Sequence, residues 1–337
     1  MHSPFLRALI EGTDTSFLNG PLPDGAEGVL LAPGAWQVTP ATPPLAELVI
    51  SCGIHGNETA PIELVDRLVA TIRKGQLASR VRLLFIVGNL QAMRVGKRYL
   101  QEDMNRLFCG KHASVGDCDE ARRVAELEGA VTRFFDTAAQ GVPRWHFDLH
   151  TAIRGSYYEK FAIYPHTDGR PHSLEAVSLL GDCDVHTLLL HTAPSPTFSY
   201  FTSHQFAAQA FTLELGKARP FGENGVVDVS ALERTLQKLI GDGSYTAASF
   251  QADDYHVFHA TRDIIRSSET FKLNVAADIL NFTPLEAGYV VGEDGSDRIL
   301  ARAGEHIIFP NPDVKIGLRA GILVAATRPS NIFDDII

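Results

Sequence analysis

A histidine and a glutamate three positions apart, His55 and Glu58, follow a largely apolar run at residues 48–54. The run predicts a buried strand, and the residues from 59 onward predict a helix. Neutral imidazole and carboxylate groups suit Zn²⁺, and a catalytic zinc site uses three protein ligands and keeps a further position open. The segment His55-Gly56-Asn57-Glu58 therefore predicts two ligands of a catalytic zinc site, and a third must come from elsewhere in the chain.

The third ligand is expected at the end of a neighbouring strand, and His150 ends the run at residues 145–150. His146 is the rival, because side chains along a strand alternate with period two and both histidines share a face. His146 lies four residues earlier, at about 3.3 Å per residue, and so deeper in the sheet. We therefore favour His150 and expect Asp148, on the same face, to contact it.

Any single histidine of the 13 in this chain is more often a surface or packing residue than a ligand. An isolated pair such as His55 and Glu58 is, by itself, equally weak evidence for a metal site. The zinc prediction depends instead on three candidates at the ends of two separate apolar strands, which is the arrangement that a metal site on an open sheet requires.

A catalytic zinc site also needs a general base that takes a proton from the attacking water. Glu214 lies within the apolar segment Phe211-Thr212-Leu213-Glu214-Leu215, and glutamate is seldom fully buried unless it is paired. Pairing with Lys217 or Arg219 would be a purely structural explanation. We favour the base, because burial beside a metal would tune the carboxyl group for proton transfer.

Cations are concentrated in the segment after the next strand, where Lys97, Arg98 and Arg106 occur within ten positions. A guanidinium group meets a carboxylate with two parallel hydrogen bonds, so these arginines suit an anionic substrate. Composition alone allows an equal alternative, in which they are surface charges paired with Glu102 and Asp103.

The elements that must position these residues alternate between two patterns up to about residue 245. Apolar runs predict strands, and apolar spacings of three and four predict amphipathic helices. The alternation predicts an α/β fold with a mixed, mostly parallel sheet flanked by helices, with sites at the carboxyl ends of the strands. The predicted strands are residues 48–54, 81–87, 145–150, 161–164, 187–191 and 210–215, and the predicted helices are residues 60–72, 120–135 and 229–240.

The sequence pattern changes after residues 241–243 to short β-like runs that are interrupted by Gly, Pro, Asn and Asp. Such spacing predicts a smaller all-β module. We therefore expect a catalytic domain at residues 1–249 and a β-rich C-terminal domain at residues 250–337. Whether the second domain covers the site, mediates a homodimer or covers a sheet edge stays open at this point.

Composition excludes several classes of function. The chain has 337 residues, 45% of them hydrophobic, and a formal net charge of −10. A nucleic-acid surface or an anionic membrane surface would need clustered Lys and Arg, so neither partner is expected. Without a signal-like start or an apolar run of about 18 residues, we expect a cytoplasmic protein. The four cysteines show no paired spacing and are interpreted as reduced thiols.

Four segments together resemble the motifs of a known family. They are His55-Gly56-Asn57-Glu58, Arg98-Tyr99 with Asp103-Met104-Asn105-Arg106, Asp148-Leu149-His150-Thr151-Ala152, and Thr212-Leu213-Glu214-Leu215-Gly216. In this order they resemble the aspartoacylase and succinylglutamate desuccinylase family of the zinc carboxypeptidase superfamily. The resemblance covers about residues 40–240, and the β-rich remainder fits the C-terminal domain of that family. Residues 57–61, 150–156 and 215–222 resemble the desuccinylase branch rather than aspartoacylase.

The resemblance implies a metal centre and two catalytic residues. One Zn²⁺ per chain would be held by His55, Glu58 and His150. Glu214 would act as general base and then as general acid, and Arg98 would stabilise the oxyanion. These roles agree with those expected from the residues themselves.

The desuccinylase branch implies hydrolysis of N-succinyl-L-glutamate to succinate and L-glutamate, the last reaction of arginine degradation through succinylated intermediates. This small, polyanionic substrate carries three carboxylates, so the pocket must be locally basic. Asn105 and Arg106 match the pair that binds a substrate carboxylate, and Arg154 and Lys217 lie within the motifs as further substrate-binding candidates.

Other functions stay in competition with this one. The nearest is an aspartoacylase-like deacylase of another N-acyl amino acid, and a carboxypeptidase is less favoured because no signal sequence is visible. A non-catalytic zinc protein would normally fill its fourth position with a protein ligand, often Cys, and no cysteine is placed for that. Tyr200, Ser203 and His204 are further candidates for substrate contact.

Overall fold

The computed structural model describes residues 2–246, 250–329 and 332. The α-helices are α1 (Pro4–Glu11), α2 (Thr59–Arg73), α3 (Leu90–Arg94), α4 (Asp119–Asp136), α5 (Leu174–Asp182), α6 (Phe198–Phe206) and α7 (Ser230–Asp242). The first nine strands are β1 (Gly20–Pro21), β2 (Glu27–Ala32), β3 (Ala35–Thr39), β4 (Glu47–Cys52), β5 (Arg82–Val87), β6 (Arg144–Ala152), β7 (Lys160–Tyr164), β8 (Thr187–Leu190) and β9 (Gln209–Lys217). The remaining strands are β10 (His256–Ile265), β11 (Lys272–Leu273), β12 (Thr283–Pro284), β13 (Val290–Asp294), β14 (Asp297–Leu300), β15 (Glu305–Ile308) and β16 (Arg319–Thr327).

One large mixed sheet organises the described part of the chain. Its strand order is β1-β2-β3-β5-β4-β6-β9-β7-β8-β10-β16-β15-β12, and β11, β13 and β14 form a small second sheet. The strands β5, β4, β6 and β9 run parallel to one another, whereas the pairs at both edges are antiparallel. The predicted mixed sheet with flanking helices is therefore confirmed, and its parallel pairs, which also include β7 with β8 and β8 with β10, lie away from both edges.

Helices cover both faces of this sheet because side chains of the central strands alternate between two cores. On β5, Leu83 and Phe85 belong to the core that includes residues of α2, α5 and α7. Leu84 and Ile86 belong to the core that includes residues of α4 and α6. Central strands that are buried on both faces read as nearly continuous apolar runs, which is why the sequence predicts them well.

Four of the C-terminal strands, β10, β12, β15 and β16, extend the large sheet, whereas the other three form the small second sheet. Strand β10 pairs in parallel with β8 on one side and antiparallel with β16 on the other. The predicted domain boundary between residues 249 and 250 adjoins residues 247–249, which lie outside the described residues. Throughout the described ranges, no helix combines the length and the apolar character needed to cross a membrane.

Candidate active site

The turn between β4 and α2 carries His55 and Glu58, and a close approach to α3 fixes its shape. A Cβ atom added at Gly56 would lie 2.1 Å from the backbone nitrogen of Met93, so a residue with a side chain does not fit there. The Gly56 N–H also donates to the carbonyl of Arg98, at 3.0 Å. Both candidate ligands are buried, with 3% of His55 and 1% of Glu58 exposed.

His150 meets this turn from the end of β6. Its Nδ1 lies 2.9 Å from Glu58 Oε2, and His55 Nδ1 lies 2.7 Å from Glu58 Oε1. One donor atom from each of the three residues lies within 4.8 Å of the others. The structure thus brings together the three residues that the sequence selects as metal ligands, and His146 is not part of the group.

The second nitrogen of each histidine contacts a carboxylate. His55 Nε2 lies 2.9 Å from Asp103 Oδ1, and His150 Nε2 lies 3.0 Å from Asp148 Oδ2. Metal-binding histidines commonly donate their other N–H to such a carboxylate, which fixes the ring and leaves the first nitrogen as a ligand. With one carboxylate and two imidazoles as donors, the residues present fit a zinc ion.

Asp148 is held in turn by a buried polar chain. The Ser51 hydroxyl donates to Asp148 Oδ1 at 2.6 Å and lies 2.8 Å from His146 Nε2. His146 Nδ1 lies 2.8 Å from the Thr202 hydroxyl of α6. Burial lowers the pKa of His146 to about 4, so its ring is neutral near pH 7. His146, the alternative ligand candidate, therefore helps to hold Asp148, which contacts the second ring nitrogen of His150.

The charges of this cluster stabilise one another. Burial alone would raise the pKa of Glu58, but His55 and His150 hold it well below its usual range. Burial opposes protonation of His150, but the carboxylates of Asp148 and Glu58 raise the pKa of its ring well above the ordinary value. Carboxylate and imidazole groups therefore alternate in a compact, buried cluster.

Glu214 lies beside this centre on β9. It is 8% exposed, and its Oε2 has no hydrogen-bond partner among the described residues. Burial, with the nearby carboxylate of Glu58, raises the pKa of Glu214 to about 7. The structural alternative fails, because no ion pair joins Glu214 to Lys217 or Arg219 in the described structure.

Arg98 contacts the metal-ligand group directly. Its Nη1 donates to Glu58 Oε1 at 2.7 Å. The hydrogen-bond partner of Arg98 is therefore Glu58, and not Glu102 or Asp103 as the alternative of paired surface charges would require. Burial opposes its charge, but Glu58 and then Asp103 raise the pKa of the guanidinium group. Lys97, its neighbour, is exposed.

A single cavity opens over these groups. Of the residues selected from sequence, its lining includes His55, Arg98, Asn105, Arg106, His150, Arg154, Tyr200 and Glu214. Lys217, Ser203 and His204 are not among the residues that line it. Lys217 is exposed at the end of β9, and the substrate contact predicted for it stays a prediction.

The C-terminal segment supplies one wall of the cavity, and the sequence motifs gave no sign of this. Arg154 Nε donates to the carbonyl of Pro310 at 2.8 Å, and Lys315 Nζ lies 2.6 Å from Glu102 Oε1. Arg319, at the start of β16, and His191, just after β8, also line the cavity. No local pattern marks either residue, because only the pairing of distant strands within the large sheet brings them to this place.

Two family models match the chain. Residues 44–240 match the succinylglutamate desuccinylase and aspartoacylase catalytic domain. Residues 253–327 match the barrel-sandwich hybrid domain of the same family. The two matches together span most of the described residues.

Individual relatives cover nearly the whole chain. Succinylglutamate desuccinylase of Chromobacterium violaceum is 47% identical over 330 residues, which are 97% of this chain and 98% of the relative. The enzyme of the same name from Pseudomonas paraeruginosa is 46% identical over 90% of this chain and 92% of its own length. The crystal structure of the Chromobacterium violaceum succinylglutamate desuccinylase matches 97% of this chain and 99% of its own chain with a TM-score of 0.85 and 44% identity.

Proposed function

Because the chain belongs to the succinylglutamate desuccinylase and aspartoacylase family, we propose that it hydrolyses N-succinyl-L-glutamate to succinate and L-glutamate. Relatives named for this reaction share 46–47% identity with it over at least nine tenths of its length. Aminoacylase 3 from mouse, at 16% identity, supports only the shared fold. The observation that carries the proposal is that His55 and His150 both contact the buried Glu58 and line one cavity together with Glu214.

The proposed cofactor is one Zn²⁺ per chain, held by His55, Glu58 and His150. The ion would supply a Lewis acid that activates the attacking water and polarises the amide carbonyl. Asp103 and Asp148 hold the two imidazole rings from behind, so the ligands are positioned before the ion binds.

Glu214 is the proposed general base. Its unpartnered Oε2 takes a proton from the attacking water, and the same carboxyl group then returns the proton to the departing amine. A pKa near 7 suits both halves of this transfer near neutral pH. The buried position next to His150 keeps the carboxyl group in place while the proton moves.

Arg98 is proposed to stabilise negative charge on the amide oxygen. One of its nitrogens is engaged by Glu58, which orients the guanidinium group and leaves other N–H groups for the substrate. A preorganised cation of this kind acts most strongly where charge develops in the transition state.

Asn105, Arg106 and Arg154 are proposed to bind substrate carboxylates. All three line the cavity, and the Asn105 side chain is fixed because its Oδ1 accepts the Phe198 N–H at 3.0 Å. This concentration of donors fits a small polyanion in a chain whose net charge is −10. Their positions support one small anionic substrate.

The proposal is tested with purified protein loaded with one equivalent of Zn²⁺. Release of succinate and glutamate from N-succinyl-L-glutamate is expected, with much slower hydrolysis of N-acetyl-L-aspartate. A chelator should abolish turnover, and added Zn²⁺ should restore it. Hydrolysis only of acetylated or peptide substrates would contradict the desuccinylase function, and tight zinc binding without hydrolysis of any acyl amino acid would favour a non-catalytic zinc protein.

A further inference from the structure

Two arginines from distant parts of the chain line the same cavity. Arg106 follows the loop after α3, and Arg319 begins β16. Burial and then the positive charge of Arg106 lower the pKa of Arg319 to about 10. The positive charge of Arg106 therefore disfavours the positive charge of Arg319.

The described residues provide little negative charge to offset this pair. Arg319 Nη1 lies 3.5 Å from Asp263 Oδ1, and the Asp263 side chain is 48% exposed. Arg106 Nη1 donates to the carbonyl of its neighbour Asn105, at 2.8 Å. A further carboxylate, that of Asp103, acts on both arginines but already contacts His55.

A neutral imidazole completes this region. His191 lines the cavity beside the arginines, and burial, followed by the charges of Arg319 and Arg106, lowers the pKa of its ring to about 3. No hydrogen bond to its ring is present within the described ranges. The ring therefore keeps one N–H group that can donate to an anion.

Arg106 and Arg319 stand apart from the metal-ligand group. Neither is among the main charges that act on Glu58 or Glu214, whereas Arg98 acts on Glu214 and contacts Glu58. Both arginines are only partly exposed, and like charges brought together away from bulk water cost free energy. A bound carboxylate would offset that cost, since guanidinium groups bind its two oxygens with charge-assisted hydrogen bonds.

We propose that Arg319, together with Arg106 and His191, binds a substrate carboxylate remote from the scissile amide. The C-terminal part of the chain thereby helps to decide which acyl amino acids are cleaved. This inference depends on the proposed desuccinylase function, whose substrate carries such carboxylates at the end of the succinyl group and on the glutamate portion.

The test uses the zinc-loaded enzyme, the Arg319→Gln variant and substrates that each lack one carboxylate. These are N-butanoyl-L-glutamate, N-succinyl-L-norvaline and N-succinyl-4-aminobutyrate, compared with N-succinyl-L-glutamate. Loss of a charge-assisted contact should lower kcat/KM for the full substrate by about 10- to 100-fold. For the one analogue that lacks the bound carboxylate, the substitution should change kcat/KM by less than about 2-fold, and this identifies the carboxylate.

Two further variants separate binding from folding. Arg319→Lys keeps the charge but lacks the fork of donors, so it should fold and show an intermediate loss with the same dependence on substrate. Arg298→Gln makes the same charge change in the same part of the chain, at a side chain that is 67% exposed, and should behave as wild type.

Equal losses on all four substrates, or no loss for either Arg319 variant, would overturn the inference while leaving the proposed function intact. Inactivity of the wild-type enzyme on N-succinyl-L-glutamate would instead overturn the proposed function and this inference with it.

Discussion

Glu214 and His150 are direct register partners on the parallel strands β9 and β6. Side chains of paired residues point to the same face of a sheet, so the candidate base and the candidate metal ligand emerge side by side. A shift of one residue in either strand would turn its side chain to the opposite face. The placement of Glu214 beside His150 is therefore set by the register of two buried central strands, whereas His55 and Glu58 come from the turn between β4 and α2.

Glu214→Gln should keep the shape of the site and remove proton transfer. We expect kcat to fall by about 10²- to 10⁴-fold, with zinc content unchanged because Glu214 is not one of the three ligand candidates. The measurement is kcat with metal content determined on the same sample. Glu233→Gln, on α7 in a pair with Arg67, is the control, and near-normal turnover of the zinc-loaded Glu214→Gln variant would remove the base from the mechanism.

Much of this site was predictable from sequence because its residues sit at the ends of strands whose pattern is unambiguous. Strands β4, β6 and β9 are buried along nearly their whole length, and their apolar runs place His150 and Glu214 at one edge of the sheet. The one His and Glu pair outside a strand, His55 and Glu58, is fixed by the tight turn that follows β4.

The parts that were not predicted depend on contacts between distant segments. Arg319 and His191 reach the cavity only through the pairing of β10 with both β8 and β16, which no short sequence pattern specifies. Lys217 shows the opposite case, because its proximity to Glu214 in the sequence does not bring it into the cavity lining. It follows Glu214 by three positions, but Gly216 adopts a left-handed conformation just before it, and its side chain is exposed.

Asp148→Asn and Asp103→Asn should each weaken zinc binding. Each carboxylate contacts the second nitrogen of a candidate ligand, and loss of such a partner typically costs about 10- to 100-fold in metal affinity. Glu58→Ala should cost more, since it removes a ligand. Competition with a chromogenic chelator measures all three affinities, and full zinc affinity in Glu58→Ala would undo the ligand assignment.

Gly56→Ala should distort the turn that carries two of the three ligands. The new Cβ would meet the backbone of Met93 at 2.1 Å, so the turn or α3 must move. We expect a loss of about 1–3 kcal/mol in the free energy of unfolding, together with weaker zinc binding. Gly116→Ala is the matched control, because a Cβ there meets nothing within 4 Å; equal behaviour of the two variants in urea unfolding and zinc titration would contradict this account.

His146 should make the protein less stable in mild acid. Burial lowers the pKa of its ring to about 4, whereas an unfolded chain binds a proton at this residue near pH 6.5. Between these values the unfolded state holds more protons, so the free energy of unfolding falls as pH decreases. In His146→Asn, which cannot titrate, the free energy of unfolding measured with urea should depend less steeply on pH between about 6.5 and 4. The decrease in slope should correspond to at most about one bound proton. The exposed His256→Asn serves as control, and an unchanged slope in His146→Asn would show that another group sets the acid sensitivity.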